Sequence, residues 1–189
     1  MIVLIAGLVL FLGVHFTRAL MPATRDRIIA ERGDNAWKLG YTIVSLVGFG
    51  LIIWGYGMAR DASQLYWVAP DGLRPVVWLV MLAAFILVIA GNGPRSHIRA
   101  IVKHPMTIGV LLWSGAHLVI NGDSAALLLF GSFLVWSIVL AASAYRRPVP
   151  TDLPAPAWVA DAVAIIVGGG LWVLFLVWGH LYLFGVSPY

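Results

Sequence analysis

Apolar residues run along this chain in long unbroken blocks, separated by short connections rich in proline, glycine and charge. A helix needs about 20 mainly apolar residues to cross a bilayer. Six blocks approach or reach that length: residues 2–21, ended by Pro22; 39–58; 75–90, ended by Gly91-Asn92-Gly93-Pro94; 101–120, which contains His104-Pro105; 124–144; and 158–183, after a proline-rich link from Pro148 to Pro156. Within each block the apolar residues are continuous rather than alternating, which favours helices over barrel strands. Lipid admits only helices and closed barrels, because neither leaves backbone polar groups unpaired. Asn121-Gly122-Asp123 predicts a tight turn between the fourth and fifth blocks. The expected fold class is all-α: one polytopic transmembrane helix bundle of about six spans over residues 1–189, without an internal repeat or a separate soluble domain.

Composition agrees with a lipid environment. The chain is 61% hydrophobic and 11% charged, whereas a soluble domain carries about 25% charged residues. It has no cysteine, which excludes disulfides, thiolate nucleophiles and thiolate metal sites within it. The net charge of +4 comes from residues between the blocks or near their ends, so it speaks to orientation rather than to nucleic acid. Ten of the twelve Lys and Arg residues lie in the first, third and fifth connections, and only Arg60 and Arg74 in the second. That bias predicts cytoplasmic odd-numbered connections and both termini outside. Trp178 and Tyr182 then fall at an outer interface belt. The run from Met1 to Leu12 has neither a basic flank nor a clear cleavage site, and reads as a retained first span. The stretch RDRIIAERGDNAWK reads as a solvated linker or a short surface helix.

Ionisable residues inside spans are costly and are functional candidates. Of five histidines, His97 lies in a basic connection and is expected to be solvated. His180 lies near the outer end of the sixth span and is expected to be interfacial. His15, His104 and His117 lie within spans. Arg18, three residues after His15, shares its helical face, and either snorkels to the interface or pairs with an anionic group. His104 and His117 are 13 residues apart, about 140° around a helix, so they do not easily face one pocket. Trp113 and Ser114 share a face with His117. Asp161 is the carboxylate nearest to a span interior. A buried histidine from each of two helices can hold haem iron, and a cation such as Arg18 would suit a propionate.

The stretch KHPMTIGVLLWSGAHLVINGD resembles the signature of the NnrU family in its basic-His-Pro-Met, Gly, Trp, Ala-His and Asn-Gly-Asp elements. His15 with Arg18, the segment AERGDNAWKLGYTIVS and the C-terminal LYLFGVSPY are also similar to it, so the resemblance covers essentially the whole chain. The family includes the 15-cis-zeta-carotene isomerases of plants and cyanobacteria, membrane proteins carrying haem b. The resemblance therefore implies haem b with His15 and His117 as iron ligands, His104 as the lower-ranked alternative, and Arg18 and Ser114 in the cofactor environment. It also implies a bacterial inner-membrane protein acting as a redox-dependent isomerase or in nitrite and nitric oxide metabolism, with a hydrophobic small molecule or a redox protein as partner. Two positions depart from the family pattern. Ser114 stands where the plant branch has a cysteine, which excludes exchange of a thiolate for imidazole, and Lys103 stands where arginine is usual. Depth from the cytoplasmic side is roughly 10 Å for His15 and roughly 21 Å for His117, a mismatch that tilt would have to absorb.

Two other readings stand beside this one. A His-Pro pair opening a span is also similar to the isoprenylcysteine methyltransferases, but those carry a charged C-terminal motif for the methyl donor, and after Asp161 only His180 here is ionisable. The other is a cofactor-free membrane accessory protein.

Overall fold

The computed structural model describes residues 1–148 and 152–188, with side chains except at residues 18–20. The chain is an all-α bundle. Its helices are α1 (Ile2–Leu20), α2 (Pro22–Arg32), α3 (Asp34–Arg60), α4 (Arg74–Asn92), α5 (His97–Val102), α6 (Pro105–Ile120), α7 (Ser124–Tyr145), α8 (Trp158–Leu174) and α9 (His180–Phe184). Two short strands, β1 (Leu65–Val68) and β2 (Asn121–Asp123), pair with each other.

Among the described residues four helical stretches, Asp34–Arg60, Asp71–Asn92, Ser124–Tyr145 and Trp158–Phe184, are long and apolar enough to cross a membrane. A fifth arises if α1 and α2, bent by 81° where Pro22 begins α2, count as one span. The exterior is apolar: Leu46, Phe49, Ile53 and Trp54 on α3, and Val163 and Ile166 on α8, are exposed. Water would not tolerate such a surface, and lipid does. The chain is a polytopic membrane protein.

The fourth expected block is not one helix. It breaks between α5 and α6 at Lys103, whose φ is 62° and ψ is −50°. The His104 N–H donates across it to the Val102 carbonyl at 2.6 Å, a three-residue γ-turn of the rare, strained kind. Pro105 then occupies the first turn of α6, where its missing N–H costs nothing, while disfavouring helical geometry at His104. That leaves α6 with 16 residues. The charged stretch after Pro22 is a helix, α2, with no buried residue.

The chain forms two compact units. Unit 1 comprises Met1–Trp67 and Gly122–Trp136. In it α1 presents Leu4, Leu8 and Leu12, all buried, at the four-residue spacing that lines one helix face. The backbones of α1 and α3 approach closely. A Cβ at Gly48 would lie 2.7 Å from the Phe11 nitrogen, and one at Gly7 2.6 Å from the Ile52 nitrogen. Lipid supplies no hydrophobic drive between helices, so small residues that admit close packing carry the association. Gly122 likewise has no room for a side chain against the Trp67 carbonyl, and Asp123 Oδ1 caps α7 by accepting from Ala125 N and Ala126 N, each at 3.0 Å. The tight turn expected at 121–123 is thus a strand and a helix cap together.

Unit 2 comprises Val68–Asn121 and Ser137–Tyr189. Here α4 packs on α6 and α8, again through glycine. A Cβ at Gly109 would meet the Ala84 carbonyl at 2.8 Å, and one at Gly168 the Ile86 Cα at 2.7 Å. After α8 the helix continues as a π-helix, Phe175–Gly179, before α9.

Candidate functional site

In unit 1, the buried face of α1 continues one turn beyond Leu12 to His15 and Phe16. The half-buried His15 ring lies 4.3 Å from that of Phe11, 5.2 Å from Tyr41 and 6.1 Å from Trp136, between centroids. Its Nδ1 is 2.6 Å from the Phe11 carbonyl oxygen. A carbonyl only accepts, so Nδ1 carries the proton and the lone pair sits on Nε2. Beside it, the buried Trp136 Nε1 has no hydrogen-bond partner. The side chain of Arg18, the other expected cofactor contact on α1, lies outside the described residues.

In unit 2, His117 stands on the last turn of α6. Its Nδ1 donates to the Trp113 carbonyl at 2.9 Å, so its lone pair is also on Nε2. The Trp113 ring lies 5.4 Å away, on the face that spacing predicted. Asn121 donates to the His117 carbonyl twice, from its backbone N–H and from Nδ2 at 2.8 Å. Ser114 is fully buried, and its hydroxyl turns back to the Val110 and Leu111 carbonyls at 2.8 and 3.1 Å. His104 stands before α6 without a capping bond from its side chain. Its ring meets Tyr145 edge-on at 5.2 Å, and the Tyr145 hydroxyl donates to the Val102 carbonyl at 2.5 Å.

One histidine differs from the sequence reading, and another has a neighbour that the sequence does not indicate. His97, expected to be solvated, donates from Nδ1 to Asp161 Oδ2 at 2.7 Å and stacks on Trp158 at 3.9 Å. Asp161 is 6% exposed and also accepts from the backbone N–H groups of His97 and Ile98 at 3.0 and 2.9 Å. One carboxylate therefore fixes the start of α5 onto α8. A loop histidine and an acid 64 residues on give no local signal of this. His180, expected at the interface among aromatics, lies beside His117, with ring centroids 6.4 Å apart and planes 19° apart. Among the described residues no three or more His, Asp or Glu side chains gather as for a dedicated metal-ion centre.

No curated protein and no solved structure is recognisably similar to this chain. The family described as NnrU protein matches residues 3–188, and the chain belongs to the NnrU family.

Proposed function

We propose that this NnrU-family protein binds haem b within the bilayer through histidine, with His117 as an axial ligand. The observation that carries the reading is the fixed tautomer of His117. A backbone carbonyl holds Nδ1–H, which orients the ring, raises the basicity of the other nitrogen and leaves Nε2 as the ligating atom. Asn121 and Trp113 hold the same turn of helix. The family resemblance assigns the opposite axial place to His15, whose Nδ1 has the same tether. His104 suits the role less, since it stands at a strained turn and against Tyr145. Bound haem would supply one-electron chemistry at iron. The chain's own residues would orient the imidazoles, exclude water with an apolar surround and admit a hydrophobic partner from lipid. An isomerase or a step in nitrite and nitric oxide metabolism are the activities that this family resemblance favours, in a bacterial inner membrane.

The proposal includes six spans with both termini outside. The charge bias supports it, with α6 as the short fourth span and α1 as the first. Titration of the purified full chain with haem b in mild detergent tests the cofactor: saturation at one haem per chain is expected. Absence of saturable binding, with stoichiometric binding of a methyl donor instead, would favour the methyltransferase reading.

A further inference from the structure

The two units neutralise their basic residues differently. In unit 1 Arg25 pairs with Asp26 at 2.9 Å, Arg27 with Glu31 at 3.9 Å and Lys38 with Asp34 at 2.6 Å. Unit 2 has three carboxylates, Asp71, Asp152 and Asp161, against six Lys and Arg residues. Asp71 lies 3.6 Å from Arg74, and Asp161 is taken up by His97 and the start of α5. Only Asp152 is left for Arg95, Arg99, Lys103, Arg146 and Arg147. Among the described residues none of these five cations forms an ion pair. Arg95 and Arg99 instead donate to the Pro154 and Gly93 carbonyls.

The fold gathers the remaining three. Tyr145, the last residue of α7, donates its hydroxyl to the Val102 carbonyl at 2.5 Å and meets the His104 ring edge-on at 5.2 Å. Lys103 lies between those two contacts, where the turn ends α5 and leaves its side chain exposed. Arg146 and Arg147 follow Tyr145 directly and are also exposed. Cations from two separate connections thus surround one tyrosine. The surface leading to them is apolar. Ile101 is 79% and Met106 49% exposed. Along α7, Ile138, Ala142 and Arg146 are all exposed and recur at the four-residue spacing of one helix face. That stripe begins apolar and ends on a cation.

In a bilayer an exposed apolar stripe is solvated by acyl chains, and cations at its end meet the headgroup layer. A phosphodiester carries negative charge on oxygens that accept from guanidinium and ammonium donors. The orientation bias asks only for positive charge on that side of the membrane. It does not require the charges to converge on one contact or to lack acids. We propose that Lys103, Arg146 and Arg147 form a binding site for the headgroup of an anionic phospholipid, whose acyl chains lie along Ile138 and Ala142. The site lies within unit 2 and depends on the membrane placement alone, so it stands or falls independently of haem.

The test is native mass spectrometry of the full-length protein in mild detergent, titrated with phosphatidylglycerol or with phosphatidylcholine of the same acyl chains. The wild type is expected to retain one phosphatidylglycerol at saturation, bound roughly tenfold or more tighter than phosphatidylcholine. Lys103→Gln, Arg146→Gln and Arg147→Gln are each expected to weaken the phosphatidylglycerol complex about fivefold and to leave phosphatidylcholine unchanged. Lys103→Arg is expected to bind as the wild type does, which separates loss of charge from disturbance of the turn. Arg27→Gln, which removes a cation already paired in unit 1, is expected to change nothing. Equal affinity of the wild type for the two lipids would overturn the proposal. So would equal weakening by Arg27→Gln and Arg146→Gln, the signature of diffuse surface charge. Displacement of the lipid by an equal concentration of glycerol phosphate would assign the cations to a soluble phosphate and overturn the lipid assignment. Circular dichroism of each variant checks that the fold is retained.

Discussion

Several polar side chains of this protein are set by backbone carbonyls. His15, His117 and His180 each commit Nδ1 to a carbonyl, Ser114 turns its hydroxyl back on its own helix, and Tyr145 reaches the Val102 carbonyl. In lipid this is the expected economy, because an unpaired polar group has no water to fall back on. Lys103 is the exception that stores strain. A non-glycine residue in a γ-turn of positive φ costs on the order of 1–3 kcal/mol. Glycine relieves that cost but loses about 0.5–1 kcal/mol to unfolded-chain entropy. Lys103→Gly is therefore expected to melt at or above the wild-type temperature in detergent. Lys103→Val, branched at Cβ, is expected to lose about 1–3 kcal/mol. A valine variant as stable as wild type would show that the turn relaxes freely.

At the scale of elements, the sequence blocks anticipate α1, α3, α4, α7 and α8 closely, since continuous apolar runs leave few alternatives in a bilayer. The misses have physical causes. β1 is a four-residue strand inside a polar connection, and it forms because Gly122 lets the chain approach Trp67. The break at Lys103 sits beside Pro105, a local signal inside an otherwise apolar block, and the π-helix before His180 lies within a run of apolar residues that does not record it. His97 was judged by its basic neighbours, while its partner Asp161 lies on another helix. Glycine shows how packing, not propensity, decides an element's role. Gly48 faces the α1 backbone, whereas nothing lies within 4 Å of a Cβ at Gly50. Gly48→Leu is expected to destabilise the protein by about 1–3 kcal/mol or more through overpacking. Gly50→Ala is expected to be neutral or to stabilise by up to about 1 kcal/mol. Equal effects of the two substitutions would contradict the packing account, as read by thermal unfolding in detergent.

For the whole molecule, lipid is the solvent that makes the apolar exterior reasonable, and the proposed orientation rests on the distribution of Lys and Arg. With no native cysteine, single cysteines report topology without background. Cysteines replacing the exposed Arg32, Arg99 or Arg147 are expected to be shielded from an impermeant thiol reagent in intact cells, and those replacing Asp61 or Ser187 to be labelled. The opposite pattern would invert the topology, and labelling of only one of the cysteines at positions 32 and 99 would break the six-span count. The candidate site was legible in part. Helical spacing gave the Trp113 neighbour of His117. What sequence could not supply was the approach of His180 to His117, which follows a π-helix and a tail held to α4. The central claim is that His117 holds haem, and the absorption spectrum of full-length protein, wild type against His117→Ala, tests it most directly. The account predicts a Soret band at one haem per chain in the wild type and its loss in His117→Ala with helix content unchanged. An undiminished Soret band in His117→Ala, or no haem in the wild type, would contradict it.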